Sequence, residues 1–256
     1  MRVDLNSDMG EGFGPWTMGD DAAMLDIVTS ANIACGFHAG DPDVMARTFE
    51  LAQQKGVAVG AHPGFDDLKG FGRRSLPHSS REIEHLVAYQ IGAAQALAAY
   101  AGHRLTHVKA HGALGNLAQQ NEDVARAVNN AIAAVDRNLI CLAIALGHQE
   151  QQARERGLTV CSEIFADRAY TSKGYLLDRS IAGAVIHDGA FAAARAVRMI
   201  QSGTIETVDG KCLKTEIDSI CVHSDTPASV AMAGQVRQGL ERAGIRVVNF
   251  LTPKDQ

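Results

Sequence analysis

Strand-like apolar segments alternate with segments of helical period from one end of the chain to the other, which confines it to βα units around a parallel sheet. Candidate strands cover 2–8, 31–38, 57–62, 105–110, 139–145, 159–166, 184–187 and 219–224, seven or eight in all. Between them, apolar residues recur every three to four positions over 42–55, 80–101, 122–135, 149–156, 190–202 and 227–243, the period of a helix with one buried face. Asp41-Pro42 reads as an N-cap with proline at the first helical position, and Gly56, Gly102, Gly157, Gly203 and Gly244 follow helices as C-terminal stops. Val208-Asp209-Gly210-Lys211 reads as a turn between two short strands, an antiparallel appendage before the last barrel strand. No linker and no fixed-period repeat interrupts the pattern, so 256 residues are expected to form one α/β domain over 1–256.

Composition narrows the partners. A 46% hydrophobic, 21% charged chain can fill a sizeable core, and a net charge of -5 with 5% aromatics offers neither a field for phosphate backbones nor platforms for bases. Nucleic acid is therefore excluded as a partner. The longest strongly apolar run, 139–146, is far short of the ~20 residues of a membrane span, so no membrane association is expected. Residues 1–11 carry three acidic side chains and no apolar core segment, and the five cysteines form no C-x-x-C pair. Both point to a cytoplasmic protein with free thiols, of which Cys141, Cys161 and Cys221 sit in apolar runs as core residues.

Strands of a parallel sheet are covered on both faces, so polar residues at period two need a reason. Asp4, Asn6 and Asp8 place two carboxyls and an amide on one face of the first strand. Asn32 and His38 share a face further on, as do His107, Lys109 and His111, then Glu163 and Asp167, then His223 and Asp225, while His62 ends the third strand. In a closed barrel those faces converge, and functional groups gather at the C-terminal ends of the strands. Asp and His at strand ends commonly cap helices or bridge loops, so any one of these residues taken alone reads as structural. Recurrence over at least six strand ends favours a functional mouth, with Asp8, His62, Lys109 and His111 as its centre. Asp4 and Asn6 lie deep enough to brace the barrel, and Asn32, Glu163 and His107 fit either role.

The loop Met9-Gly10-Glu11-Gly12-Phe13-Gly14 lets backbone amides approach an anion, and Phe71-Gly72-Arg73-Arg74 brings two guanidinium groups near the mouth. No Walker loop, no G-x-S-x-G elbow and no H-E-x-x-H helix is present. Cys35 lies in an apolar strand, where packing explains it better than an activated thiol.

The segments DLNSDMGEGFGPWTMGDD (4–21), SANIACGFHAGDP (30–42), GAHPGFDDLKGFGRR (60–74), HVKAHGALGN (107–116), FADRAY (165–170) and CVHSDTP (221–227) resemble, in order, the LamB/YcsF family, the A subunits of 5-oxoprolinase. The resemblance covers essentially the whole length. It implies a distorted, seven-stranded β/α barrel related to glycoside hydrolases and polysaccharide deacetylases. It further implies conversion of 5-oxoproline, ATP and water to glutamate, ADP and phosphate, in company with subunits B and C. Against the family pattern, Ser7 stands where cysteine is usual, Ala110 where proline is usual and Gly115 where tyrosine is usual.

A lactam resists hydrolysis because its amide is resonance-stabilised, so ATP coupling would phosphorylate the carbonyl oxygen and make a leaving group. The catalytic candidates are Asp8 as general base, His62 and His111 as acid or electrostatic partners, and Lys109 against developing negative charge. Asn6, Glu11, His38, Arg73, Asp167, His223 and Asp225 are the candidate substrate contacts. ATP is expected as co-substrate, with magnesium accompanying the nucleotide and no metal held by the chain itself. Two other readings compete: a stand-alone metal-dependent deacetylase with Asp8, His62 and His111 as ligands, and a non-catalytic ligand-binding subunit. The loops 66–74 and 169–179 are the candidate partner surface.

Overall fold

The structure, a computed structural model, describes residues 1–224 and 228–252. Its strands are β1 (Arg2–Met9), β2 (Ser30–Ala34), β3 (Ala58–His62), β4 (Leu105–Val108), β5 (Ile140–Ile144), β6 (Val160–Phe165), β7 (Thr204–Glu206), β8 (Cys212–Lys214), β9 (Ser219–Cys221) and β10 (Arg246–Val247). β1 to β6 pair in sequence order, all parallel, and β9 closes the ring by pairing with β6 on one side and β1 on the other. The barrel therefore has seven strands. β10 pairs with Arg2 and Val3 only, below the point where β9 takes over that edge of β1. β7 and β8 form the expected antiparallel hairpin outside the barrel.

The candidate strand 184–187 is not a barrel strand. Val185 makes an isolated bridge with Arg168, Ile186 N–H donates to Asp167 O (2.8 Å) and Ala169 N–H to Ala184 O (3.0 Å). That apolar stretch pins the long connection after β6 to the barrel's upper rim, so its burial comes from a loop rather than a ladder.

Helices α1 (Asp21–Leu25), α2 (Pro42–Lys55), α3 (Ser80–Tyr100), α4 (Gly112–Gln120), α5 (Glu122–Val135), α6 (His148–Glu155), α7 (Gly189–Ser202) and α8 (Ser229–Arg242) surround the ring. Asp41 caps α2 by accepting from Asp43 N and Val44 N, and Gly56 ends it in the left-handed region at φ 67°. Ser79 and Glu82 form a capping box at α3. The sequence reading missed α1 and α4. The first is one turn long, and the second begins directly after a strand and carries two glycines in nine residues, which blurs its apolar period.

β1 shows how the barrel divides its side chains. Val3, Leu5 and Met9 join the apolar core between strands and helices, whereas Asp4, Asn6 and Asp8 are buried in the barrel interior. Four of the five cysteines, Cys35, Cys141, Cys161 and Cys221, are buried and unpaired. Burial pushes the Cys35 thiol up to about 12, which removes it as a nucleophile.

Candidate active site

The interior polar groups stack in layers from the floor of the barrel to its mouth. At the floor Asp4 accepts hydrogen bonds from Thr29 Oγ1 (2.7 Å), Ser30 Oγ (2.6 Å) and Ser219 Oγ. Burial raises its pKa from 3.8 to about 6, against the pull of those hydroxyls. Above it, Asn6 spends its whole amide on the interior. Its Nδ2 donates to Glu163 Oε1 (2.9 Å) and Ser219 Oγ (2.7 Å), while its Oδ1 accepts from Asn32 Nδ2 (2.8 Å) and Lys109 Nζ (3.2 Å). Asn6 thus lies beneath the cavity and not on its lining, unlike the substrate contact anticipated from sequence. His107 Nε2 donates to Asn32 Oδ1 (2.8 Å), and burial lowers its pKa to about 3, so this ring is a neutral strut.

Lys109 is the pivot. Its ammonium meets Asp8 Oδ1 at 3.0 Å and Glu163 Oε1 at 2.9 Å, and donates to Cys221 Sγ at 3.0 Å. Burial alone would lower the lysine pKa, but the two carboxylates outweigh it and hold the group well above its ordinary value. Asp8 mirrors this: burial would raise it, yet His62 and then Lys109 pull it well below the usual carboxylate range. Glu163 goes the other way, raised by burial against the opposing pull of Lys109. The mouth therefore carries an ionised Asp8 and a charged Lys109. A carboxylate with so little proton affinity orients water better than it deprotonates it.

Beside this pair stand three imidazoles. His62 Nδ1 donates to Lys109 O (2.8 Å) and His111 Nε2 donates to Phe71 O (2.8 Å), so each of these nitrogens carries a hydrogen. Their other nitrogens, His62 Nε2 and His111 Nδ1, face each other at 3.0 Å, with Asp8 Oδ2 3.3 Å from His62 and Glu11 Oε1 3.9 Å from His111. His38 stacks on His111, the centroids 3.6 Å apart and the planes 6° from parallel. Burial, then the neighbouring imidazoles, lowers the proton affinity of both His38 and His111 well below the ordinary value. The loop that clamps His111 is tight. Phe71 sits in the left-handed region at φ 54°, and at Gly72, φ 61°, a Cβ would stand 2.7 Å from His38 Cβ and 2.8 Å from His111 Cδ2.

On the far wall His223 Nδ1 donates to Asp167 Oδ2 (2.6 Å) and its Nε2 accepts from Arg179 (2.6 Å), so Asp167 works on the cavity through His223. Burial would raise the Asp167 pKa, but His223 and Arg179 bring it down. Arg73 reaches the cavity with its guanidinium 4.9 Å from the Phe71 ring centre. Asp225 lies outside the described residues. The cavity at the mouth measures about 200 Å³ and has Asp8, Glu11, His62, Lys109, His111 and His223 among its lining residues. Among the lining groups not proposed from sequence as site residues are Glu163, which the alternation of β6 does mark, and Arg168, whose guanidinium is held by the carbonyls of Leu177 and Ala184. Nothing in the local pattern around Arg168 distinguishes it from a surface arginine.

The model of the LamB/YcsF family matches residues 3–254. The chain belongs to that family. Among LamB/YcsF relatives, the A subunit of 5-oxoprolinase from Gluconobacter oxydans (strain 621H) is 64% identical over 245 residues, 96% of each chain. Its counterpart from Azorhizobium caulinodans is 58% identical over 248 residues, 97% of this chain and 98% of the relative. The crystal structure of the lactam utilization protein from Thermus thermophilus superposes with a TM-score of 0.91 at 43% identity, covering 98% of this chain and 100% of that one. Of the positions where this LamB/YcsF chain departs from the family pattern, Ser7 donates to Val222 O (2.6 Å) across β1 and β9. Gly115 and Ala110 form a contact of their own: a Cβ on Gly115 would lie 2.6 Å from Ala110 O, so the first turn of α4 rests directly on the chain leaving β4.

Proposed function

We propose that this chain is the A subunit of an ATP-dependent 5-oxoprolinase, opening the lactam of 5-oxo-L-proline to L-glutamate as ATP is hydrolysed to ADP and phosphate, together with subunits B and C. The observation that carries this reading is the end-to-end similarity to the A subunit of Gluconobacter oxydans 5-oxoprolinase, 64% identical over 96% of both chains. The cavity agrees with it in size. At about 200 Å³ it falls below the roughly 300–1,000 Å³ of sites for drug-sized ligands, so it suits a five-membered ring with one carboxylate and leaves ATP to another surface of the assembly.

In this reading the N-terminal end of α4 and Arg73 draw the substrate carboxylate, since both present positive potential to the cavity. Asp8 orients the attacking water through its Oδ2 edge, and Lys109 stabilises the oxygen that gains charge as the ring opens. His62 and His111 line the same space. Free, mostly buried thiols go with a reducing cytoplasm, and among the described residues no helix is long and apolar enough to cross a membrane.

The test is reconstitution. The purified chain with ATP and 5-oxoproline should release neither glutamate nor phosphate, and adding subunits B and C should release both in equal amounts. Asp8→Asn should abolish that coupled turnover while circular dichroism stays unchanged. Turnover by the isolated chain would refute the division of labour, and silence of the complete mixture would refute the substrate.

A further inference from the structure

Both ring nitrogens of His38 are buried and have no hydrogen-bond partner, although the residue is only 1% exposed. An imidazole in that state forfeits on the order of 1–3 kcal/mol per unmatched group, a cost that calls for a ligand. Next to it, His62 Nε2 and His111 Nδ1 face each other across 3.0 Å, while the other nitrogen of each ring meets a backbone carbonyl on the opposite side. Glu11 adds a carboxylate oxygen, and one donor atom from each of Glu11, His38, His62 and His111 lies within 4.8 Å of all the others.

From this geometry we propose that Glu11, His38, His62 and His111 hold one divalent transition-metal ion of the zinc class, with an open coordination position on the cavity. Three imidazoles and a carboxylate suit zinc, cobalt, nickel or ferrous iron, and they do not suit magnesium or calcium, which take oxygen donors. Donors bound at about 2.0–2.1 Å around a tetrahedral ion stand about 3.3–3.4 Å apart, so a pair at the 4.8 Å limit has to close by about 1.4 Å, His38 turning out of its parallel stack on His111 to aim a nitrogen at the ion. The surroundings are those of a metal ligand set, since the carbonyls of Lys109 and Phe71 orient two rings from behind. Asp8 Oδ2, 3.3 Å from His62 Nε2, adds negative charge beside the group, while its Oδ1 stays engaged with Lys109 and Asn32. The donor set thus differs from the aspartate-and-two-histidine set considered from sequence, and the proposal runs against the expectation that this chain holds no metal.

An entry path exists. A largely apolar groove of about 430 Å³ between Phe13, Trp16, Leu68 and Phe71 runs in from the surface to Glu11 and His38. Glu11, His62 and His111 also line the cavity from the other side, so a water or a carbonyl oxygen there would complete the coordination sphere. The ion would lower the pKa of such a water or polarise such a carbonyl.

The experiment reads metal without substrate, so its outcome does not depend on the oxoprolinase reading and leaves that reading standing if it fails. The full chain is stripped with chelator and titrated with zinc chloride by calorimetry and with cobalt(II) chloride by visible absorption. One ion per chain is expected, with the ligand-field bands of a four- or five-coordinate cobalt site. His38→Ala and Glu11→Gln should each weaken cobalt binding by at least ~10-fold while circular dichroism is unchanged. X-ray absorption of the zinc form of the unaltered chain should show about three imidazoles around the ion, which keeps the proposal testable where a variant misfolds. Absence of saturable binding near one ion per chain, full binding in His38→Ala, or a zinc shell without imidazole would each overturn it.

Discussion

Replacing Lys109 by methionine removes the ammonium that stands between two buried carboxylates while keeping the length of the side chain. Unit charges 3 Å apart attract by about 5–6 kcal/mol at an effective dielectric of about 20, and Lys109 makes two such contacts, to Asp8 and Glu163. Desolvation of the ammonium cancels much of that sum. Breaking a buried pair from one side costs about 3–5 kcal/mol, and that is the expected loss for Lys109→Met in urea unfolding at pH 8. Glu163, whose pKa burial already raises, is the carboxyl that then takes up a proton. Its folded pKa in the variant lies above the unfolded value, so its favourable contribution is complete at acid pH and is lost as pH rises through the folded pKa. The deficit of Lys109→Met should accordingly shrink between pH 8 and pH 5. Glu163→Gln alone keeps the Lys109–Asp8 pair and should cost under about 1 kcal/mol, because an amide oxygen can still accept from Asn6 and Lys109. The double variant should recover at least about 2 kcal/mol relative to Lys109→Met, a coupling that only a direct interaction produces. Additive effects of the two substitutions, or a loss below about 1 kcal/mol for Lys109→Met, would refute the electrostatic account of the barrel interior.

Asp4 is raised from 3.8 to about 6, so its protonated form favours the fold and about 3 kcal/mol is withdrawn as pH climbs from 4 to above 6. Asp4→Asn should flatten that part of the stability–pH curve and raise stability at pH 8, with the Ser219 hydroxyl turning to accept from the new amide; an unchanged slope in urea titrations across pH 4–8 would count against it. Gly115→Ala places a Cβ 2.6 Å from Ala110 O, so α4 must move off the end of β4. About 1–3 kcal/mol of stability and much of the turnover of the assembled enzyme should go with that shift, since His111 is the N-cap residue of α4. A variant of full stability and activity would show that this contact is slack.

The alternation of apolar strands and amphipathic helices, with a capping signal at Asp41 and stops at Gly56 and Gly203, specified the βα architecture from local chemistry alone. The period-two polar run Asp4, Asn6, Asp8 likewise announced a barrel interior that is not apolar, because alternation is a property of the strand itself. Sequence could not tell floor from mouth. Asp4, Asn6 and Asp8 look equivalent in the chain, yet one braces the base through three hydroxyls, one is consumed by the middle layer and one opens on the cavity. Their depth depends on the register of β1 against β2 and β9, which is settled only when the ring closes. The same holds for His38, read as one strand-end polar residue among many. Its stacking on His111 and its two unmatched nitrogens arise from the Phe71–Gly72 turn pressing in from a different loop. Residue types and their local periods are written in the order of the chain, whereas the distances that turn carboxylates and imidazoles into a site span contacts such as Asp8 with Lys109 and His62 with His111, which only the closed barrel brings together.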